Sequence, residues 1–542
     1  MLKKKYRLAL GVALLSAVLM ACGGGKNAQS GTGAAGESQA SGTSGEEAGT
    51  LRFVNFRDIR DLNPHLYAGE MYAQSMLYDT LVSITAEGYG PCLAEKWEIS
   101  EDGKVYTFHI RDGVKFSDGE VCDAKAIQAN FDAIIENKER HTWLRSMELL
   151  QSAVATDDKT FVITLSEAYY PLLTELGVTR PFAMISPKAM KNGSTKDGVE
   201  AYIGTGPYVL KDFVTDEYAT FEANPNYWGE APKIKTIVAK VIPDNQTRIL
   251  ALDKGEIDLI YGKNMIDADA IKKYQDSDSI AVALSEPTST RQIVMNTQDE
   301  ILSDINVRKA LEHATDKQSI SDGLFYGLEK PADTLFSKTV PYCNIDLTPY
   351  EHDSEKAKSL LEEAGWKAGS DGIRSKDGKK LSLELLYNSD SVTEKSIGEY
   401  LQAEYKQIGV DIQLSGQEEQ SYRDNMKAGN FDLVFNISWG TPYDPQSSLS
   451  AMTAPVYGDY AAQQGLENKK EIDEAIQKIL LSTDEKERQD LYTKVLTSLH
   501  EDAVYIPLTY ENNKAIYRKT LKGVRFSQSQ YEIPFEEMYF EN

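Results

Sequence analysis

The side chains best able to do chemistry here are four cysteines and six histidines. Cys22 closes the run Leu19-Met20-Ala21-Cys22, which resembles a lipobox, whose cysteine is acylated and becomes the new N-terminus. Cys92, Cys122 and Cys343 lack the close spacing of a zinc site or a disulfide framework. They read as core or stray thiols, a Cys92–Cys122 pair being the other reading. His65, His109, His141, His313, His352 and His500 show no paired ligand spacing such as His-x3-His. The sequence has no Gly-x-Ser-x-Gly elbow and no phosphate-cradling Gly-x4-Gly-Lys-Ser/Thr loop. Acids are plentiful, yet no acid pair can be picked out for general acid–base work. The expected chemistry is binding rather than catalysis, with no resident cofactor.

Lys3, Lys4, Lys5 and Arg7 precede an apolar run from Leu8 to Met20. That run is shorter than the roughly 20 residues a membrane-spanning helix needs. A basic start and a short apolar core make residues 1–22 a secretory lipoprotein signal. Residues 23–49 are mostly Gly, Ser, Ala, Gln and Thr without apolar periodicity, and read as a disordered tether. Gly23 suits retention at the plasma membrane, where a diacyl anchor holds stably and one chain would be marginal. The expected location is therefore extracytoplasmic, with the membrane touched through the lipid anchor alone. The formal charge of -25, with 83 acids against 58 bases, argues against nucleic acid and anionic lipid as partners. The roughly 490 residues that remain exceed one ordinary core, so at least two lobes are expected.

The elements that must position any site alternate between strands and helices. Val105 to Ile110 and Thr160 to Leu165 read as strands, with turns at Asp112-Gly113 and Asp118-Gly119. Asp123 can cap a helix to about Asn137 whose apolar face is Ala124, Ile127, Phe131, Ile134 and Ile135. Ser354 to Ala364 is a helix stopped by Gly365. Leu381 to Tyr387 is a strand, Thr393 to Ile408 a helix, and Val410 to Leu414 a strand. Asp473 to His500 is helical with a break near Thr483. This rhythm indicates α/β lobes.

Ala94-Glu95-Lys96-Trp97 and the run Tyr106-Thr107-Phe108-His109-Ile110-Arg111-Asp112-Gly113-Val114-Lys115-Phe116-Ser117-Asp118-Gly119 resemble a long family signature. The family is that of the peptide- and nickel-binding solute-binding proteins of ABC importers. Gly204-Thr205-Gly206-Pro207-Tyr208, Asn224-Pro225-Asn226-Tyr227-Trp228-Gly229 and Val307-Arg308-Lys309-Ala310-Leu311 follow in family order. The resemblance covers about Leu51 to Asn542. It implies a bilobal, periplasmic-binding-protein-like α/β fold of type II with a discontinuous first lobe. Lobe I is expected over 50–289 with an inserted subdomain, lobe II over 290–508, and a return to lobe I over 509–542.

Within the family, Leu62-Asn63-Pro64-His65-Leu66-Tyr67, Arg140-His141-Thr142-Trp143-Leu144, Arg180-Pro181-Phe182 and Trp439-Gly440-Thr441-Pro442-Tyr443-Asp444-Pro445 are most similar to the nickel-binding branch. The resemblance implies a nickel chelate as transported ligand, a peptide being the alternative, and importer permease subunits as partners of a monomer. It places Arg180 and Arg140 on ligand carboxylates. Trp143 and Trp439 would sandwich the chelate, Tyr443 would offer a hydroxyl, and Tyr67 and Met71 would line the first lobe. A structural ion pair is the other reading of Arg180, and a solvated helix end that of Arg140. Aligning Ser450-Ala451-Met452 and Pro455 with the family's loop puts Tyr457 where its metal-ligating histidine would stand. A neutral phenol is a poor nickel ligand. Either the metal arrives fully chelated, or another histidine has moved in, or the ligand is not nickel. His65 reads as a satisfied scaffold residue.

Overall fold

The computed structural model describes residues 49–85 and 88–541. The signal expected over 1–22, its Cys22, and all but the last residue of the tether lie outside the described residues. Local rules account for many elements. Asp123 caps the helix Ala124–Glu136 by accepting from the Ala126 N–H at 2.9 Å. Ala124, Ile127, Phe131 and Ile134 bury its apolar face, and Ile135 packs at the margin. Strands Ala94–Ile99, Val105–Ile110, Thr160–Leu165 and Leu150–Ala155 form a four-stranded antiparallel sheet under that helix. The expected long helix starts earlier than its apolar pattern suggested, as Lys469–Leu481, and resumes as Glu485–Glu501. Lys469 opens it because its buried ammonium bonds Asp473 and the Met452 carbonyl. Cys92, Cys122 and Cys343 are free thiols, so the Cys92–Cys122 pair is not formed.

An eleven-stranded sheet organises the rest. Its labelled strands are β1 (Thr50–Asn55), β2 (Tyr208–Val214), β3 (Tyr218–Ala223), β4 (Thr236–Val241) and β5 (Leu259–Tyr261), then β6 (Ile280–Met295), β7 (Ser382–Asn388), β8 (Asp411–Gln417), β9 (Leu433–Ile437) and β10 (Tyr505–Arg518). The order is β2-β3-β4-β1-β5-β10-β6-β9-β7-β8, with Lys330–Pro331 pairing β10 off this path. The turn into β2 needs its glycines. A Cβ on Gly204 would stand 2.0 Å from the Leu77 carbonyl oxygen.

Two strands join the halves. The start of β6 pairs with the end of β10, next to β5, while the end of β6 pairs with the start of β10, next to β9. Between them the register slips at Leu284/Pro287, Pro287/Ser289 and Arg291/Gln292. Such bulges bend a ladder locally. At this bend lies a buried ionic cluster. Glu511 accepts from Ser289 Oγ at 2.8 Å, pairs with Arg291, and faces Lys263 Nζ at 3.5 Å. Glu329 lies 3.8 Å from Arg291 and 3.5 Å from Lys514. The halves also touch away from the bend. The Tyr170 N–H donates to the Leu480 carbonyl at 3.0 Å, and the Arg488 guanidinium lies 3.5 Å over the Tyr170 ring.

Burial opposes ionisation of Glu511, but Arg291 and Lys263 outweigh it and hold the carboxyl at about 2. This lies below its unfolded value, so the contribution is full above about pH 4.5 and fades as pH falls towards 2. Glu511→Gln is expected to cost about 3–5 kcal/mol at pH 7 by leaving Arg291 short of charge. Urea denaturation should find that deficit narrowing below about pH 4.5; a pH-independent deficit would contradict the pairing.

Candidate functional site

A cavity of about 760 Å³ opens beside the bend. It is lined by Tyr67, Met71, Arg140, Trp143, Arg180, Trp439 and Tyr443, together with Tyr457. One gathering thus contains residues drawn from five separate segments of the chain. Arg57, Arg60, Glu70, Arg423 and Tyr531 share the lining. Five arginines and one glutamate therefore face a single hollow in a protein whose net charge is -25. The excess of positive charge is local to this hollow.

Arg180 is the most committed of these. Its single hydrogen-bond partner among the described residues is the Gly69 carbonyl, 3.3 Å from Nη1. That carbonyl is held close because Gly69 packs on Asp61; a Cβ would lie 2.4 Å from the Asp61 oxygen. No carboxylate pairs with Arg180 among the described residues, so it is not the half of a structural ion pair. Burial lowers its affinity for the proton, and the phenols of Tyr443 and Tyr67 lie nearby. A guanidinium has five donors and stays charged, so most of its donor capacity is left for a ligand. Arg140 is exposed on the short helix Lys138–His141. Glu70 is already engaged: Arg57 Nε donates to Oε1 at 2.5 Å and Asn55 to Oε2 at 3.1 Å.

The aromatic wall is hydrogen-bonded in place. Trp143 Nε1 donates to the Tyr67 hydroxyl at 2.8 Å, which leaves the hydroxyl proton for His141 Nδ1 at 2.7 Å. Burial, with Arg140 adjacent, pushes His141 down to about 4, so it is neutral at pH 7 and can accept. Burial likewise raises Tyr67 to about 12 and keeps Tyr443 protonated. The Trp143 and Trp439 rings are 6.2 Å apart at 57°. Tyr443 stands edge-on to both, at 5.8 and 6.4 Å. The two indoles and Tyr443 thus adjoin in one aromatic cluster on the cavity wall.

Asp444 holds the Trp439 loop. Buried, it accepts from Ser438 Oγ at 2.5 Å, from the Gly440 N–H at 2.9 Å and from Ser448 Oγ. Gln530 Nε2 donates to the Trp439 carbonyl at 2.8 Å, and a Cβ on Gly440 would collide with that amide. His65 does not line this cavity. Its ring nitrogens meet Thr195 Oγ1 at 3.0 Å and the Ala183 carbonyl at 3.2 Å, as a scaffold histidine should. Among the described residues no group of three His, Cys, Asp or Glu is placed to hold a metal ion. Tyr457 sits in the cavity, edge-on to Trp439 at 5.7 Å.

Sequence reasoning missed Arg57, Arg60, Arg423 and Tyr531. Arg57 and Arg60 sit just before the Leu62-Asn63-Pro64-His65 stretch, in a polar loop that spacing cannot distinguish from a solvated one. Arg423 pairs with Glu419 one helical turn away, a pattern typical of exposed helix faces.

The family described as "Bacterial extracellular solute-binding proteins, family 5 Middle" matches residues 88–459. The chain is 42% identical over 486 residues to the nickel-binding periplasmic protein of Escherichia coli (strain K12), covering 89% of this chain and 93% of that one. It is 28% identical over 507 residues to the dipeptide-binding protein of the same organism, covering 88% and 92%. The crystal structure of NikA from Brucella suis in complex with Fe(III)-EDTA superposes with a TM-score of 0.88 at 44% identity, covering 91% of this chain and 100% of that chain.

A half-buried guanidinium with no carboxylate partner among the described residues adds little stability to the ligand-free protein. Arg180→Gln should therefore leave its unfolding free energy unchanged or raise it by up to about 1 kcal/mol. A urea titration showing a loss above about 2 kcal/mol would mark Arg180 as structural instead.

Proposed function

We propose, from the premise that the chain belongs to family 5 of the bacterial extracellular solute-binding proteins, that it captures an anionic metal chelate, nickel foremost, and delivers it to an ABC importer. The observation that carries this reading is the convergence of five arginines, one engaged glutamate and an indole–phenol wall on one cavity. Arginines read carboxylates by charge-assisted bonds worth about 1.5–3 kcal/mol each. Tryptophan and tyrosine offer rigid faces at little entropic cost. The nickel-binding relative at 42% identity supports nickel as the metal, and the Fe(III)-EDTA complex of the Brucella protein supports a chelate as its form. In this reading Arg180 and Arg140 hold carboxylates, Tyr443 donates its hydroxyl, and Tyr67, Met71, Trp143 and Trp439 shape the wall.

A peptide is the rival, since a relative bears that name. Its N-terminal ammonium would need a free acid, whereas the cavity's Glu70 already serves Arg57 and Asn55. The balance of charge favours the chelate. The division into lobes at 50–289, 290–508 and 509–542 fits a hinge at the β6–β10 bulges, around which binding would close the clamp. Acylation at Cys22 would tether a monomer beside its permease, with no other membrane contact.

Isothermal titration of the mature chain with nickel(II) plus histidine or another small chelator should show tight binding. Arg180→Gln should weaken it at least tenfold, about 1.4 kcal/mol. Binding of peptides with no binding of any metal chelate would overturn the reading.

A further inference from the structure

Thr179 and Arg180 are neighbours in the chain, and so are Tyr531 and Glu532, yet each pair is split between two hollows. Arg180 and Tyr531 line the cavity described above. Thr179 and Glu532 line a second one, of about 490 Å³. The two segments are tied at this point: the buried Thr179 Oγ1 donates to Glu532 Oε1 at 2.9 Å. Ser527 Oγ donates to Oε2 at 3.3 Å, and the Glu532 N–H donates to the Ser529 carbonyl at 3.1 Å. The segments thus form a shared partition between the hollows.

Glu532 is half-buried, and its side-chain partners among the described residues are hydroxyls, with no lysine, arginine or histidine paired to it. Asp79, Tyr78, Cys92 and Tyr227 share the lining of the second hollow. The one cationic side chain described there, Arg525, pairs with Glu537. Glu536 lies on the same segment, Tyr261 of β5 and Tyr443 of the Trp439 loop feel the Glu532 charge, and Arg180 follows Thr179. Burial pushes the Glu532 carboxyl up to about 7; the Thr179 and Ser527 hydroxyls pull it back, and Glu536 adds to the rise. Burial also raises Asp79 and Glu536. It raises the phenols and the thiol as well, so they stay protonated at neutral pH. Glu175, on the helix Leu172–Leu176, is pushed up to about 6 by burial and is held by Ser146 and Tyr169.

We infer that Glu532 is a proton-linked positioning residue of the binding cavity: it ties the Arg180 segment to the Tyr531 segment, and it must keep its proton for an anion to bind at full strength. This goes beyond the choice of ligand and rests on the ligand being an anion, as proposed above. An ionised Glu532 places a negative charge next to the Arg180 segment and offsets part of the field that attracts the ligand. By linkage, an arriving anion draws a proton onto Glu532. Affinity is level where Glu532 is protonated with and without ligand. It falls as pH rises through about 7, and levels again where Glu532 is ionised in both states. Capture is thereby favoured on the acidic side of neutrality.

The test titrates nickel(II)–EDTA, whose charge is constant between about pH 6 and pH 8, into the mature chain in a calorimeter. Repeated in two buffers of different protonation enthalpy at about pH 7.5, wild type should take up a fraction of a proton per ligand bound. Its affinity should fall about threefold or more from pH 6 to pH 8. Glu532→Gln keeps an acceptor for Thr179 and cannot ionise, so it should take up no proton and bind equally at both pH values. The wild-type proton uptake needs no variant and stands even where Glu532→Gln folds poorly. Binding without proton uptake in wild type would overturn the coupling and leave chelate capture standing. The same pH dependence in Glu532→Gln, as titration of Glu175 would produce, has that meaning too. No binding at any pH would remove the anion reading and the coupling with it.

Discussion

A half-buried guanidinium with no carboxylate pair among the described residues is the constraint from which the rest of this structure follows. Arg180 is half-buried, has one carbonyl acceptor among the described residues, and keeps its charge. Stability alone would not select that arrangement, because a buried charge is costly unless paired. The same hollow gathers four further arginines in a chain that is acidic overall. The cost becomes intelligible when an anion supplies the missing charge. The surrounding scaffold is devoted to holding this imbalance: Gly69 presents its carbonyl, Asp444 and Gln530 fix the indole loop, and His141 stays neutral to anchor Tyr67.

The bend between β6 and β10 has the opposite electrostatics. There each buried charge has partners, and Glu511 remains ionised despite full burial. The two clusters divide the work. In one the charges are paired, at the bend between the halves; in the other, among the described residues, Arg180 has only the Gly69 carbonyl. Tyr170, with Leu480 and Arg488, joins the halves away from the bend.

Much of this was legible in the sequence. The capped helix at Ala124, the strand Val105–Ile110 and the glycine stop at Gly365 follow from local chemistry alone. Resemblance drew Arg180, Arg140, Trp143, Trp439, Tyr443, Tyr67 and Met71 from distant segments, and they line one cavity. What stayed hidden is non-local. Ser289 and Glu511 are separated by 222 positions, and no periodicity reports their bond. Arg57, Arg60 and Arg423 look like any solvated arginine in the sequence, and they stay exposed; the fold alone brings them to the rim of one cavity. The tilt between Trp143 and Trp439 depends on packing between segments, which motifs do not encode. The anchor at Cys22 stands on the sequence alone.

The central claim is that the cavity is completed by an anionic metal complex. Native mass spectrometry of the protein purified from its own host, with elemental analysis of the same sample, addresses it most directly. The account predicts a bound species containing nickel and a carboxylate-rich organic molecule, released together on denaturation. A co-purifying peptide without metal would contradict it.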